Sequence, residues 1–550
     1  MARRRPYWAV QAYADVPTGG SRVARSSDPD ESRPPRGPGT IGPAAGAGTR
    51  TIVGPVIDQL ANAPVVAHET HTGMVFLVGD FAYKLKKAVR TDFLDFSTPA
   101  RRLAACEREI ELNRRLAPDV YLGIRRLLPL DGAESTGSDA EPVVVMRRMP
   151  AARRLSTLVV NGHDVEPALR AIAHTLAAFH ARAGRDPEVV VDGGAEALRR
   201  RWLANTGELK PYTGTVVEPD LLSTLETLVL EFLDGRAPLL SERASRVVDG
   251  HGDLLADDIY CLDDGPRLLD CLDFDDHLRH VDGLDDAAFL AMDLEHLGHP
   301  GLAQTFLDRY AEFAADPAPP ALRHHYVAYR AVVRAKVALL RHDQGEPHAA
   351  ADARAHLDLT LRQLQDGAVR LAIVGGLPGT GKTTLGGALA DRFGAVLLSS
   401  DRVRKELAGI APQTRVPAGF GEGLYDGPHT EATYTELLRR AEALLARGES
   451  VVLDASWSDA RHRCAAERLA ERTRSRLVPL VCQAAAELTG QRLRTRTGTA
   501  SDATVTIAEA MAQTADPWPK AVTVSTQGPL ADSLGRAGAV WRDAVPRPKG

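Results

Sequence analysis

Cysteine is scarce and poorly spaced for structural chemistry: five residues, at 106, 261, 271, 464 and 482, an odd number with no CxxC pair. Neither a disulfide framework nor a structural zinc site is expected, and a reducing compartment fits. No run approaches 18 consecutive apolar residues, so no membrane-spanning helix is expected. The start, MARRRPYWAVQAYADVP, is basic but lacks a continuous apolar stretch, so a secretory signal is not expected either. These absences together read as a soluble, cytoplasmic protein. An excess of one charge is also missing. A formal net charge of -5 over 550 residues argues against nucleic acid or an anionic membrane as the main partner.

What remains is a globular profile, with 44% hydrophobic and 25% charged residues. The length exceeds what one hydrophobic core serves, so two or more domains are expected. Residues 1–50 form a tail rich in Gly, Pro, Ser, Arg and Ala from about Val16, which buries too little apolar surface to order itself. Residues 51–365 and 366–550 then differ in pattern. In the first stretch, Met74 to Lys86 reads as two strands about a turn at Gly79-Asp80, followed by a helix from Pro99 to Leu116. Val143 to Met146 is a short strand after a polar loop that begins at Asp131. Long helical patterns follow, interrupted by a strand-rich patch from Val247 to Phe274. From Val369 onward strands and helices alternate, which predicts a parallel sheet with helices on both faces. The fold class is therefore α/β plus α+β.

The clearest chemistry sits in LAIVGGLPGTGKTT, residues 371 to 384. A buried strand runs into Gly376-Leu-Pro-Gly-Thr-Gly-Lys382-Thr383, and a helix begins. Gly376, Gly379 and Gly381 let backbone N–H groups turn toward phosphate oxygens, and the helix amino terminus adds partial positive charge. Lys382 can reach the β- and γ-phosphates, and the Thr383 hydroxyl can ligate Mg²⁺. These residues, with Thr384, are the expected ATP contacts. The next strand ends at Ser399-Ser400-Asp401, beyond the carboxyl end where ligands bind in such sheets. Asp401 is placed to orient or deprotonate a substrate hydroxyl, though a helix N-cap is the competing role. Asp401 and Lys382 are the candidate catalytic residues here. Arg404 and Lys405, one turn later, could hold an anionic substrate group. Val451-Val452-Leu453-Asp454 looks like a Walker B strand, with Asp454 near the metal. Arg492, Arg494 and Arg496 cluster near a helix end, and Arg496 is the favoured arginine to close over a transferring phosphoryl group.

GGLPGTGKTT, SSDRVRKELAG and VVLDASW together resemble the small P-loop kinases that include gluconate kinase and the zeta-toxin and polynucleotide-kinase relatives. The resemblance covers roughly residues 368 to 530. It implies a doubly wound parallel-sheet kinase domain that uses ATP and Mg²⁺ to phosphorylate a small-molecule hydroxyl, with Asp401 as base.

The strand-rich patch holds His251-Gly252-Asp253-Leu254, then Asp258-Ile259-Tyr260 and Leu272-Asp273-Phe274-Asp275. This resembles the catalytic and metal loops of aminoglycoside phosphotransferases and choline kinases, and so implies a bilobal protein-kinase-like domain ahead of the P-loop domain. Asp253 would accept the proton of an attacking hydroxyl, and Asp258 would hold a metal. Asp273 fits the second metal position by its LDF context, with Asp270 the close competitor. Upstream, Phe81-Ala-Tyr-Lys84 has the form of a phosphate-binding lysine on a strand. Lys86 shares its face, Glu109 is its expected ion-pair partner, and Met146 to Met149 would contact adenine. The longer stretches ETHTGMVFLVGDFAYKLKK, CEREIELNRRLAPDVYLG and LDDAAFLAMDL resemble a bacterial family of fused phosphotransferase-like and P-loop kinases. Two departures stand out: Leu255 and Asp258 replace the usual His and Asn of HGDLHxxN. The segment Glu69 to Gly73 also stands where a glycine-rich phosphate loop is usual. One alternative follows from these departures: the amino-terminal domain could be a non-catalytic sensing or interaction module. His280, His296 and His299, with Asp285, Asp286 and Asp293, read as helix surface and domain contacts rather than a metal site. Asp516-Pro-Trp-Pro519 reads as a turn with a packed indole.

Overall fold

The computed structural model describes residues 66–69, 73–90, 95–127, 141–414, 416, 419–495 and 501–548. The tail 1–50, the segment 70–72 in place of a glycine loop, the polar loop up to residue 140, and Arg496 lie outside the described residues. By its internal contacts the chain divides into two units. One holds residues up to Ile110 with Asp119–Arg148; the other holds Glu111–Pro118 with Met149 onward.

The first unit is an antiparallel five-stranded sheet in the order β1-β2-β3-β5-β4. Its strands are β1 (Val66–Glu69), β2 (Gly73–Val78), β3 (Phe81–Lys86), β4 (Tyr121–Leu127) and β5 (Glu141–Arg147). The expected turn joins β2 to β3, with Gly79 at φ 54° in the left-handed region. The helix Pro99–Asn113 follows β3; it ends three residues earlier than the apolar pattern suggests, because 114–116 form a turn.

The second unit opens with a mostly helical region, from the helix Leu155–Val160 to the helix Ala349–Asp366. The strand-rich patch resolves into two ribbons. β6 (Val247–Asp249) pairs with β9 (His280–Asp282), and β7 (Ile259–Leu262) forms a hairpin with β8 (Gly265–Leu268). The helix Gly283–His296 is buried nearly all round, as its apolar residues on every face require.

From Arg370 the same unit becomes a parallel sheet in the order β11-β12-β10-β13-β14. The strands are β10 (Arg370–Gly375), β11 (Val396–Ser399), β12 (Val451–Asp454), β13 (Arg476–Gln483) and β14 (Val522–Ser525). Every connection carries at least one helix, as parallel strands demand. β10 is buried along its whole length between β12 and β13. The connection out of β10 runs to β11 on one side and that out of β12 crosses to β13 on the other, which makes the carboxyl end of β10 a topological switch point. Beneath it Val374, Leu389, Val452, Leu480 and Trp541 share one apolar cluster. The observed fold is thus an antiparallel sheet, a mostly helical region with two short ribbons, and a parallel sheet whose central strand runs into a glycine-rich loop.

A seam joins the helical region to the parallel sheet within this unit. Arg236 is wholly buried; its guanidinium donates to the Thr473 carbonyl and, at 3.3 Å, to Ser475 Oγ. Arg476, which opens β13, pairs with Glu231. Gly235 leaves no room for a side chain against the Thr473 carbonyl.

Candidate functional site

The loop after β10 has the geometry its glycines predict. Gly376, Gly379 and Gly381 lie at φ 132°, 82° and 88°, where side-chain-bearing residues are strained. A Cβ on Gly376 would sit 2.6 Å from the Cys482 carbonyl, and one on Gly379 would sit 2.9 Å from the Thr489 carbonyl. The helix Lys382–Phe393 starts directly after Gly381, aiming its free N–H groups at the loop. Lys382 Nζ donates to the Leu377 carbonyl at 3.3 Å, folded across the loop. Thr383 and Thr384 are exposed at its mouth. Arg492 reaches the same loop, donating to the Thr526 carbonyl at 2.7 Å and to the Gly379 carbonyl at 3.5 Å.

Thr383 Oγ1 donates to Asp454 Oδ2 at 2.8 Å. Asp454 is buried at the end of β12, where the Ser399 side chain also bonds its carboxylate, and among the described residues its Oδ1 has no hydrogen-bond partner. Burial raises its carboxyl above the usual range, offset in part by Lys382 and the Thr383 hydroxyl. A hydroxyl joined to a carboxylate with one vacant, buried oxygen is an all-oxygen donor set suited to Mg²⁺. The residues present fit that ion.

Asp401 lies in the first turn of the helix Ser400–Leu407, but the N-cap position is Ser399. The competing capping role for Asp401 therefore falls away. Its charge is felt by Asp454, Tyr425 and Tyr434, so it faces the same end of the sheet. Arg404 and Lys405 differ from expectation. Lys405 is wholly buried: Nζ pairs with Asp502 Oδ2 at 3.1 Å and donates to the Thr414 carbonyl at 2.8 Å. It ties the segment around Asp502 to the segment after its own helix, and presents no charge to a substrate. Arg404 donates to the Leu424 carbonyl at 2.7 Å and lies over the Tyr425 ring. It builds the wall of this region. Asp502 and Tyr425 are the neighbours that sequence reading did not place there, whereas Arg492 comes from the arginine cluster that it singled out. Trp518 is half-buried, its ring edge against Gly375 and Arg463 over its face, as the packed-indole reading expects.

In the first unit Glu109 is buried between two ammonium groups. Lys84 Nζ lies 2.9 Å from Oε1, and Lys86 Nζ lies 2.9 Å from Oε2. Burial alone would raise its carboxyl, but the two lysines outweigh burial and hold it well below the usual range. Lys84 and Lys86 share a face because side chains alternate along β3. Met146 sits on β5 opposite Ala82.

In the second unit the loop 250–253 is built around a buried carboxylate. Asp286 accepts from the backbone N–H of His251 at 2.7 Å and of Gly252 at 2.8 Å. Its Oδ2 is also 2.9 Å from His180 Nε2. Burial opposes its charge, but these donors hold its carboxyl far below the ordinary range. Asp286 is therefore the internal support of the loop, a correction to its reading as helix surface. Asp293 does likewise, accepting from the Ala256 N–H at 2.8 Å, and Asp285 pairs with Arg330 at 2.7 Å. His251 Nε2 lies 3.0 Å from the Leu269 carbonyl, bracing the loop against the segment that follows β8.

Asp253 projects from this frame. Burial pushes its carboxyl up to about 6, with Arg334 opposing the shift and Asp270 adding to it. Asp270 stands at φ 60° on a non-glycine residue, a strained position of the kind found at functional loops. Its charge reaches both Asp253 and His251. Asp258 closes a short 3-10 turn and lies in the field of Arg154, while Leu255 is buried. Asp273 lies past the Leu272 N–H bond to the His251 carbonyl, 3.1 Å.

Residues 371–517 match a family model described as an AAA domain. Along most of its length the chain is similar to the uncharacterized protein Rv2004c of Mycobacterium tuberculosis. They are 47% identical over 479 residues, covering 87% of this chain and 95% of the relative. Among solved structures, a gluconokinase from Sinorhizobium meliloti 1021 is 20% identical, with a TM-score of 0.24. It matches 32% of this chain and 93% of its own. A choline/ethanolamine kinase family protein from Mesorhizobium loti is 14% identical with a TM-score of 0.34, over 55% of this chain and 92% of its own.

Proposed function

The chain belongs to the family that includes the mycobacterial protein Rv2004c, and from that premise we propose that it is an ATP- and Mg²⁺-dependent phosphotransferase acting on a small-molecule hydroxyl. Residues 366–550 form the P-loop kinase domain and residues 51–365 a second, protein-kinase-like domain. The observation that carries the reading is Thr383 hydrogen-bonded to Asp454 at 2.8 Å, with the other oxygen of Asp454 buried and open. The phosphate-loop glycines and Lys382 lie beside it.

In the P-loop domain, the amides of residues 376–383 and the Lys382 ammonium bind the β- and γ-phosphates. Thr383 and Asp454 hold Mg²⁺, which when bound neutralises charge on the phosphate oxygens. Asp401 orients the acceptor hydroxyl and takes its proton. Arg404 shapes the acceptor side, and Arg492 fixes the phosphate loop by gripping its Gly379 carbonyl.

In the amino-terminal domain Lys84, oriented by Glu109, binds phosphate, and Met146 contacts the adenine. Asp253 is the base: a carboxyl pushed to about 6 is better matched to neutral pH than a solvated aspartate. Asp270 is the favoured metal residue over Asp273, because its charge already reaches Asp253; Asp258 is the second. The positive field of Arg154 at Asp258 supports the alternative that this domain senses or binds without turning over, since it disfavours a cation on that carboxylate.

ATP turnover of Lys382→Ala and Asp253→Ala, measured separately over a panel of sugars, polyols, aminoglycosides and nucleosides, tests both readings. Loss only in Lys382→Ala leaves the amino-terminal domain as a quiet module. Turnover that survives Lys382→Ala and Asp253→Ala alike sinks the proposal.

A further inference from the structure

A third constellation uses none of the residues of the two candidate sites. Asp192 ends the helix Pro187–Asp192, His277 lies in the short turn Asp276–Leu278, and His280 opens β9. Asp192 Oδ2 is 2.6 Å from His277 Nδ1 and 2.8 Å from His280 Nδ1. The three donor atoms all lie within 4.8 Å of one another. The two rings stand at 86° with centroids 6.0 Å apart, so their nitrogens approach the carboxylate oxygen from different sides.

The backbone holds these residues in place independently of their side chains. Arg201 donates to the carbonyl of Asp192 at 3.1 Å and to that of His280 at 3.4 Å, clamping the two segments together. Gly193 follows Asp192 so closely against β6 and β9 that a Cβ there would strike Val247 and sit 3.0 Å from the His280 carbonyl. Asp275 accepts from the His277 N–H at 3.0 Å and sets the turn. The donors are thus preorganised, which lowers the ordering entropy of capturing an ion.

We propose that Asp192, His277 and His280 form a binding site for a zinc-class divalent ion, held by two imidazole nitrogens and one carboxylate oxygen. A fourth position is open to water beside the exposed His277 ring. Nitrogen donors select Zn²⁺, Co²⁺ or Ni²⁺ over Mg²⁺, which keeps this site chemically distinct from the oxygen-only set at Thr383 and Asp454. Each neutral ring can carry its hydrogen on Nε2 instead of Nδ1, so capture needs a tautomer change and no charged ring. The ion would fasten the helix Pro187–Asp192 to the turn that begins three residues beyond Asp273. A second group, His296, Asp352 and His356, also brings its donor atoms within 4.8 Å of one another, but its two rings are stacked face to face. Its rings stack at 3.8 Å and 19°, so the nitrogens lie side by side. His356 Nδ1 is also 3.0 Å from the Asp352 carbonyl.

The test is Co²⁺ titration of the EDTA-treated full chain, with excess Mg²⁺ present to fill the oxygen sites. One equivalent of Co²⁺ with visible d–d bands, displaced by Zn²⁺, is expected. His277→Ala and His280→Ala should each weaken uptake at least tenfold, while His296→Ala leaves it unchanged. Circular dichroism of His277→Ala checks folding, which an exposed ring should not disturb. No uptake by the native chain, equal uptake by His277→Ala, or loss in His296→Ala overturns the assignment.

Discussion

Replacing Asp253 with Asn should make the protein more stable at neutral pH while silencing the site it serves. The folded loop favours the neutral carboxyl: burial raises it from 3.8 to about 6. A group raised in this way costs stability once pH passes the unfolded value, because the native chain must ionise where ionisation is disfavoured. A shift of that size corresponds to about 3 kcal/mol at 1.36 kcal/mol per pH unit. Asp253 keeps some contact with solvent, so roughly 1–3 kcal/mol is the working range. Asn imitates the protonated form and carries none of this cost. Thermal unfolding of both proteins in EDTA, across pH 4 to 8, measures the difference. The gain from Asp253→Asn should be near zero at pH 4, grow as pH rises to 6, and stay level above it. A gain independent of pH, or a loss at pH 8, would show that the carboxyl is not perturbed as the geometry implies. The same shift predicts that turnover dependent on Asp253 rises through about pH 6, with no such limb in Asp253→Asn.

Lys382→Ala should abolish the thermal shift given by MgATP through the P-loop site and lower turnover at least 100-fold, with unchanged stability of the ligand-free chain. Thr383→Val removes the hydroxyl on Asp454, so titrations should show a higher Mg²⁺ requirement with a smaller change in ATP affinity. Gly379→Ala puts a methyl group 2.9 Å from the Thr489 carbonyl at φ 82°. It should cost about 1–3 kcal/mol in denaturant melts and weaken nucleotide binding through the displaced loop. Glu109→Gln should destabilise the chain by on the order of 3 kcal/mol at pH 7, by taking the carboxylate from between two buried ammonium groups. Because the carboxyl is held low in the fold, that difference should be full above pH 4.5 and fade as pH drops toward 2.

Much of the phosphate loop was legible because its causes are local. Glycine spacing, the buried strand before it and the lysine after it sit within fourteen consecutive residues. Lys84 and Glu109 could be paired because a strand and the next helix have few ways to face each other. Other roles depend on residues far apart in the chain. Lys405 reads as a free cation one turn from Asp401, and only the fold reveals Asp502 against it, 97 residues away. Asp286 sits in a run of acids that reads as helix surface, yet it accepts the two N–H groups that shape the loop before Asp253. The LDF context pointed to Asp273, whereas the strained backbone at Asp270 is invisible in sequence. The parallel sheet was predicted from alternation, but its order, with β10 between β12 and β13, is decided by which crossovers close over the apolar cluster.

The buried guanidinium at position 236 bears on how this protein could be divided. Its acceptors among the described residues, the Thr473 carbonyl and the Ser475 hydroxyl, belong to the segment leading into β13, and β13 ends where Cys482 backs onto Gly376. Cutting the chain near residue 366 would strip that cation of its acceptors and bare the start of the strand that buttresses the phosphate loop. The carboxy-terminal half, although it carries a complete nucleotide motif, should therefore be less stable and hold MgATP more weakly alone than within the whole polypeptide. Selection would then keep the two halves fused for mechanical reasons, before any traffic of substrate between them is considered.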